Sequence, residues 1–192
     1  MTIPEGEYRY EIRLGKEILA LERAHLSANK IIASRSVASG GSQHEIEALL
    51  SPDGFLSRID LRYTRGPFSR RASYRTDEEL LRGSISAMAG EANVETKLGR
   101  FHEVDADFII FKALVIAHVR QRGMRRWTGR VALIDPTTLM ARSSKQTYYQ
   151  EDSALNWVVE PAIGERERLE IDGDGRVARR IDLRGFETVL IR

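Results

Sequence analysis

Apolar and polar residues alternate along most of this chain. Tyr8, Tyr10, Ile12 and Leu14 alternate with charged residues at positions 7, 9, 11 and 13. Successive side chains of a strand point to opposite faces, so this pattern predicts a half-buried strand. The same alternation, interrupted by tight turns, predicts about ten short strands, among them 44–50, 55–64, 68–75, 127–134 and 177–183.

The turns between these segments contain residues that favour chain reversal. Proline presets its backbone torsion and glycine accepts a positive φ, as expected of Ser51-Pro52-Asp53-Gly54. The segment 172–175, Asp-Gly-Asp-Gly, also invites a calcium interpretation. An EF-hand loop needs an acidic ligand six residues beyond its glycine, where this chain has Ile181. We therefore predict a simple turn at 172–175. For the protein as a whole, we predict neither a bound metal nor a cofactor.

The pentapeptide Arg-Ile-Asp-Leu-Arg occurs twice, at 58–62 and at 180–184, each time after an Asp-Gly pair. Within a strand its Ile and Leu share one face, and its Asp points to the other. Gly54 lies five residues before Ile59, whereas Gly175 lies six residues before Ile181. Because the parity differs, we interpret the repeat as a recurrent strand sequence and not as a binding motif.

One segment breaks the alternation. Residues 108–119, FIIFKALVIAHV, are mostly apolar and lie between an acidic segment, 105–107, and a basic one, 120–123. Asp is a good helix N-cap, and basic residues followed by glycine favour a helix C-terminus. Apolar residues cover nearly the full circumference, which predicts a helix buried on most sides. A long central strand is the alternative, because the segment is rich in β-branched and aromatic residues.

These elements predict a mainly β fold: one curved antiparallel sheet, a half-barrel or barrel, wrapped around the apolar helix in a single domain, 1–192. Exposed sheet edges favour a homodimer, because unpaired backbone groups must be covered. The longest apolar run is interrupted by Lys112 and His118 and is too short for a transmembrane segment of about 18 residues. The N-terminus has no basic start followed by an apolar signal segment, and cysteine is absent. We therefore expect a cytoplasmic protein.

Candidate catalytic residues are few. The four histidines have no pair at the spacing that places two metal ligands on one helical face. The chain contains no nucleotide-binding glycine loop and no nucleophile elbow. His118 in the apolar segment, or His102 beside Glu103, could serve as an acid or base next to a carboxylate. A hydrolase or isomerase is therefore an alternative to a non-enzymatic function, and we assign no catalytic residue.

A basic patch follows the apolar segment, HVRQRGMRRWTGR, with arginines from Arg120 to Arg130 around Trp127. Arginines next to an aromatic residue can bind phosphates or stack on a base, so an interaction or nucleic-acid-binding module is a further alternative. They can equally complement a helix C-terminus and occupy the solvent face of a strand. A net charge of +2 does not by itself imply nucleic acid, which we do not expect as the partner.

Several segments together resemble two bacterial groups. These segments are the opening strand Tyr-x-Tyr-x-Ile-x-Leu-Gly-Lys-Glu, the segment Asp-Gly-Phe-Leu-Ser-Arg-Ile-Asp-Leu, the apolar helix and a final Asp-Gly-x-Val hairpin. They are similar to the lipoprotein-carrier-like half-barrels and to putative glycolipid-binding domains. The resemblance implies a curved sheet around a helix, with an apolar cavity for an acyl chain or lipid.

We therefore predict a protein that binds a small hydrophobic or lipid-like ligand between the sheet and the helix. Arg126 or Arg130 would meet an anionic headgroup at the rim of the cavity. The predicted ligand-binding residues are Phe108, Phe111, Leu114, Val115, His118, Arg126, Trp127, Arg130, Tyr149 and Trp157.

Overall fold

The computed structural model describes residues 3–77, 79–98 and 102–191, with the side chain of His102 excepted. These residues form fifteen strands in one sheet, and a single helix. The elements are β1 (Gly6–Leu14), β2 (Glu17–Ser27), β3 (Lys30–Val37), β4 (Ser42–Leu50), β5 (Leu56–Arg65), β6 (Phe68–Asp77), β7 (Leu80–Ala87), β8 (Gly90–Lys97), β9 (His102–Asp105), α1 (Ile109–Gln121), β10 (Arg126–Ile134), β11 (Ala141–Gln150), β12 (Asn156–Pro161), β13 (Glu167–Ile171), β14 (Val177–Asp182) and β15 (Phe186–Ile191). No described helix is long and apolar enough to span a bilayer.

The sheet consists of two meanders that meet in its middle: the first meander comprises β1 to β8, and the second comprises β10 to β15. Its order runs from β8 back to β1, then through β15 down to β9, so that β1 pairs with β15 and the edges are β8 and β9. All pairs are antiparallel except β9 with β10. The predicted class, one curved antiparallel sheet around a mid-chain helix, is confirmed. The expected strand number was too low, and the parallel strand β9 was not predicted.

The two copies of Arg-Ile-Asp-Leu-Arg face opposite ways. In β5, Ile59 and Leu61 are buried, while Arg58 forms an outward ion pair with Asp60 at 2.8 Å. In the second copy, Arg180 makes a half-buried ion pair with Glu167, and Leu183 is 73% exposed. The interpretation as a recurrent strand sequence holds fully for the first copy alone: β14 ends at Asp182, so Leu183 and Arg184 of the second copy lie in the turn that follows.

The helix α1 lies inside the curved sheet, and ten of its thirteen residues are buried. The prediction of a helix buried on most sides is therefore confirmed. The predicted aspartate N-cap is wrong: Phe108 occupies the N-cap position, without a side-chain cap. Instead, the backbone N–H of Ile109 donates to Oε1 of Glu22 on β2 at 2.9 Å. A helix that begins inside a curved sheet can take its cap from the surrounding strands.

The loop between β10 and β11 packs against the inner side of the first meander. Leu139 on this loop is buried, and its carbonyl accepts a hydrogen bond from Tyr74 Oη of β6 at 2.6 Å. Thr96 of β8 donates to the carbonyl of Ala141 at 3.2 Å. The loop thus links the far edge of the first meander to the second, and with α1 it fills the interior.

Candidate functional site

The ten predicted ligand-binding residues fall into three groups: five in the packed core, three on the outer face of the sheet, and two at a cleft beside α1. Phe108, Phe111, Val115 and Trp157 are fully buried in the packed core. Trp127 is also buried, with its ring 5.9 Å from that of Tyr148. None of these side chains lines either of the two clefts described below.

Three predicted rim or wall residues, Arg126, Arg130 and Tyr149, lie on the outer face of the sheet. Arg126 pairs with Tyr149 across β10 and β11, one residue out of phase with the buried Trp127–Tyr148 pair. The guanidinium of Arg126 lies 5.4 Å from the Tyr149 ring. Arg130 donates to Ser143 Oγ at 3.2 Å. The structure therefore does not bring these residues together with the interior ones.

The remaining two predicted residues, Leu114 and His118, do meet at a cleft. We call it the mouth cleft; it has a volume of about 380 Å³ and lies between the C-terminal half of α1, the N-terminal segment and two turns, β2–β3 and β4–β5. Its lining residues are Ile3, Pro4, Glu5, Leu26, Ser27, Ala28, Leu50, Pro52, Asp53, Gly54, Leu114, Ala117, His118 and Gln121.

The imidazole of His118 is fixed by a buried carboxylate. Its Nδ1 lies 2.9 and 3.1 Å from the two carboxylate oxygens of Glu103 on β9. Both side chains are 7% exposed. An ionised carboxylate only accepts hydrogen bonds, so Nδ1 is the donor and carries the proton. In the neutral ring, Nε2 is then left as an acceptor.

The turn before β5 fixes the other side of this ring. Ser51 N–H donates to the carbonyl of Phe55 at 2.7 Å, and Gly54 N–H donates to the carbonyl of Ser51 at 2.9 Å. The Phe55 ring packs on the imidazole with 4.6 Å between centroids. Gly54 has φ of +82°, and a Cβ there would lie 3.2 Å from His118 Nε2. Glycine therefore supplies both the backbone conformation and the space for the imidazole.

A second buried feature is an ionic cluster of Asp105, Lys112, Glu167 and Arg180. Lys112 Nζ lies 2.7 Å from Asp105 and 3.2 Å from Glu167, and Arg180 lies 2.7 Å from Glu167. Burial by itself lowers the pKa of Lys112, but the two neighbouring carboxylates outweigh burial and raise it above the ordinary lysine value. The cation therefore stays charged inside the curved sheet.

The ionic cluster continues through Asp107 to Arg35 and Glu22. Arg35 lies 2.9 Å from Asp107 and 2.8 Å from Glu22. Burial raises the pKa of Glu22, and Arg35 and the Ile109 N–H offset this rise only in part. Burial also acts to raise the pKa of Asp107, but Arg35, Arg180 and Lys112 outweigh it and hold this pKa below the ordinary value.

Sequence reasoning missed three of the residues that shape the mouth cleft. Glu103 attracted notice beside His102, whose side chain lies outside the described part of the structure, but not as the partner of His118. Gly54 was recognised only as a turn residue, and Phe55 only as a strand residue. No local pattern links Glu103 to His118, because their contact depends on how β9 lies against α1. The described residues hold no group of three or more His, Asp or Glu side chains suited to a metal ion.

No protein-family model and no curated protein matches this chain. Solved structures do. The chain is similar to a DUF1089 family protein from Pseudomonas aeruginosa, with 16% sequence identity, a TM-score of 0.63, and coverage of 85% of this chain and 89% of that one. It is also similar to a β-barrel-like protein of the DUF1849 domain of unknown function from Brucella abortus, with 9% identity, a TM-score of 0.60, and coverage of 98% and 95%. These similarities show a shared barrel-like fold.

Proposed function

We propose that this protein binds one small hydrophobic or lipid-like molecule in the mouth cleft. The apolar part of the ligand would contact Leu26, Leu50 and Leu114, and a polar group would hydrogen-bond to His118. This site differs from the one expected from the sequence, since of the ten predicted residues only Leu114 and His118 line the mouth cleft.

The composition of the mouth cleft supports an amphipathic ligand. Leucine, isoleucine, proline and alanine side chains make up most of its walls, and a few polar groups lie among them. Small-molecule sites typically combine apolar walls with a small number of polar groups, in volumes of roughly 300–1,000 Å³. The mouth cleft, at about 380 Å³, fits this description for a small ligand.

The observation that carries the proposal is the position of Leu114 and His118 one helical turn apart on α1. Both side chains line the mouth cleft, and His118 is held there by Glu103 on one side and by Phe55 on the other. A polar group with a fixed orientation beside an apolar wall is what orients an amphipathic ligand. The resemblance to lipoprotein-carrier-like and glycolipid-binding domains, which implies an acyl or lipid ligand, agrees with this class.

Native mass spectrometry of the purified protein, followed by organic extraction, tests for a co-purified ligand. Titration with a dansylated undecanoic acid then measures binding to the emptied protein. Leu114→Trp would fill the mouth cleft, because the indole occupies the ligand's volume. It should abolish both the co-purified ligand in the mass spectrum and the binding of the dansylated acid. Leu183→Trp is the matched control, since Leu183 is 73% exposed and lines neither cleft. Equal binding by the two variants would refute the proposal.

The Glu103–His118 pair favours an enzyme as a second candidate. A histidine whose Nδ1 is held by a carboxylate, and which lines a binding cleft, is arranged as a general base. In this alternative Nε2 takes a proton from the ligand or from a water molecule beside it. Glu103 would orient the ring and stabilise the imidazolium that forms.

Hydrolysis of medium-chain p-nitrophenyl esters tests the enzymatic candidate. Glu103→Gln keeps the size of the side chain and removes its charge, so it should lower turnover while the dansylated acid still binds. His118→Asn should abolish turnover. Turnover that is absent in the wild type, or unchanged in both variants, would exclude base catalysis by this pair and leave ligand binding as the proposal.

A further inference from the structure

A second cleft opens over the ionic cluster, and we call it the charged cleft. Its volume is about 400 Å³, and it lies between the loops that join β10 to β11 and β12 to β13. Six acidic and four basic side chains line it, together with Gln146. It shares no lining residue with the mouth cleft, so an inference about it does not depend on the proposed function.

Gln146 contributes a buried polar atom to the charged cleft that no described protein group satisfies. Its side chain is 4% exposed, and its Oε1 has no hydrogen-bond partner among the described residues. Two residues further along the same face of β11, the hydroxyl of Tyr148 is also buried without a partner. Buried polar atoms are nearly always hydrogen-bonded in folded proteins, so each exception requires an explanation.

The ionic cluster does not satisfy these two groups, although it lies beside them. Lys112 donates to Asp105 and pairs with Glu167, and Glu167 also accepts from Arg180. Burial raises the pKa of the Tyr148 hydroxyl, and the carboxylates of Asp105 and Glu167 act in the same direction. The amide and the phenol therefore adjoin a mixed set of positive and negative groups that are already paired.

We propose that the charged cleft binds a small zwitterion of amino-acid or dipeptide size, which hydrogen-bonds to Gln146. The ammonium group would donate to the free Oε1 of Gln146 and approach the carboxylates of the lining. The carboxylate group would be directed to Arg142, a lining side chain for which the described residues provide no ion pair within 4 Å. Binding would thereby supply the partner that Gln146 lacks.

The mixture of charges favours a zwitterion over the other small polar ligands. A simple anion or cation meets groups of its own sign in this lining, which costs part of the attraction. A neutral polyol can hydrogen-bond to both kinds of group, but charge-assisted hydrogen bonds are roughly twice as strong as neutral ones. A molecule that carries both charges is attracted by the acidic and by the basic side chains of the lining.

A matched series of dipeptides tests the charge requirement. Glycylglycine is the zwitterion, N-acetylglycylglycine the anion, glycylglycinamide the cation and N-acetylglycylglycinamide the neutral form. The readout is the side-chain amide signal of Gln146 in ¹H–¹⁵N NMR spectra, assigned by its loss in Gln146→Leu. We expect glycylglycine to shift this signal saturably, and each blocked peptide to bind at least about tenfold more weakly, since each loses charge-assisted hydrogen bonds.

Two variants keep the inference falsifiable. Gln146→Leu should abolish glycylglycine binding and raise the melting temperature of the free protein, because a buried amide without a partner is removed. Gln43→Leu is the control, with the same substitution at an exposed position of β4. Arg142→Gln, at an exposed site, should weaken glycylglycine binding without affecting folding.

Three results would overturn the inference. The first is an unshifted Gln146 amide signal at saturating glycylglycine. The second is equal binding of the zwitterionic and blocked peptides. The third is a lower melting temperature in Gln146→Leu together with unchanged glycylglycine-induced shifts of neighbouring signals, which would assign the buried amide to a purely structural role.

Discussion

Glu22 on β2 accepts a hydrogen bond from the backbone N–H of Ile109, the first residue of α1, at a distance of 2.9 Å. The two residues are 87 positions apart in the chain. The same carboxylate is paired with Arg35 at 2.8 Å in the buried interior. The sheet thus supplies both the cap of the enclosed helix and the cation that neutralises this cap.

Glu22→Ala is expected to destabilise the protein strongly. The substitution removes the helix cap and leaves Arg35 buried with Asp107 as its one remaining acidic partner among the described residues. Breaking a buried ion pair from one side typically costs about 3–5 kcal/mol of the free energy of unfolding. Urea denaturation measures the loss, and Glu91→Ala at an exposed position of β8 is the control, expected to change little. A cost for Glu22→Ala no larger than that of the control would contradict the assigned role.

Stability is expected to fall steeply above about pH 10, the ordinary tyrosine pKa. Burial raises the pKa of Tyr74 to about 12, and it also raises the pKa of Tyr10 and Tyr148. The folded state therefore keeps protons that the unfolded chain loses, so rising pH favours unfolding. Lys112 acts in the same direction, because its raised pKa gives a stabilisation that is complete below the ordinary lysine pKa and lost as pH rises through the raised value.

Ultraviolet absorbance of tyrosinate and far-ultraviolet circular dichroism, recorded on the same alkaline titration, check this prediction. Ionisation of the buried tyrosines should coincide with the loss of β structure. Their ionisation at the ordinary pKa, with the sheet intact, would show that these hydroxyls are not held in the interior.

Tyr74→Phe is expected to weaken the contact between the first meander and the β10–β11 loop. The variant loses the hydrogen bond from Tyr74 to the Leu139 carbonyl, at 2.6 Å in a buried setting. Such a hydrogen bond contributes roughly 0.5–1.5 kcal/mol. Tyr149→Phe is the matched control, because the Tyr149 hydroxyl donates to Glu160 on the outer face. In thermal unfolding, Tyr74→Phe should lower the melting temperature more than Tyr149→Phe does. A larger decrease in Tyr149→Phe would contradict the prediction.

Gly54→Ala is expected to cost more stability than Gly66→Ala. Both glycines have a positive φ, +82° and +56°, so alanine strains the backbone at either position by about 1 kcal/mol. Only at Gly54 does the new methyl group also meet a side chain, with Cβ 3.2 Å from His118 Nε2. The surplus cost measures how tightly the imidazole is held beside the turn. Equal costs by urea denaturation would show that the ring moves freely, and NMR of the His118 ring would record its displacement.

Local patterns predicted the strands and the helix well. Alternation placed Ile59 and Leu61 on the inner face because strand periodicity is a property of the backbone itself. The same parity places Trp127 inside and Arg126 outside in the structure, although both were predicted to contact one ligand. The enclosed helix was predictable because apolar side chains around the full circumference exclude a solvent-exposed position.

The site was less accessible to sequence reasoning. Tyr149 was predicted as a wall of the cavity, but in the structure it pairs with Arg126 on the outer face, while its neighbour Tyr148 is buried. Gln146 gave no signal, since a glutamine in a polar strand does not reveal that it will be buried. Both outcomes depend on how β11 pairs with its neighbouring strands. Residues close together in the sequence do not determine that pairing.

By itself, the sequence determined a mainly β chain with tight turns and one enclosed apolar helix, because residue spacing and turn chemistry act within a few positions of each other. The tertiary structure alone decided that β1 would pair with β15, that Glu22 would cap α1, and that Glu103 would hold His118 at a cleft. Such contacts join residues far apart in the chain, and they form only where burying the helix inside the sheet repays the cost of desolvating the charges that hold it.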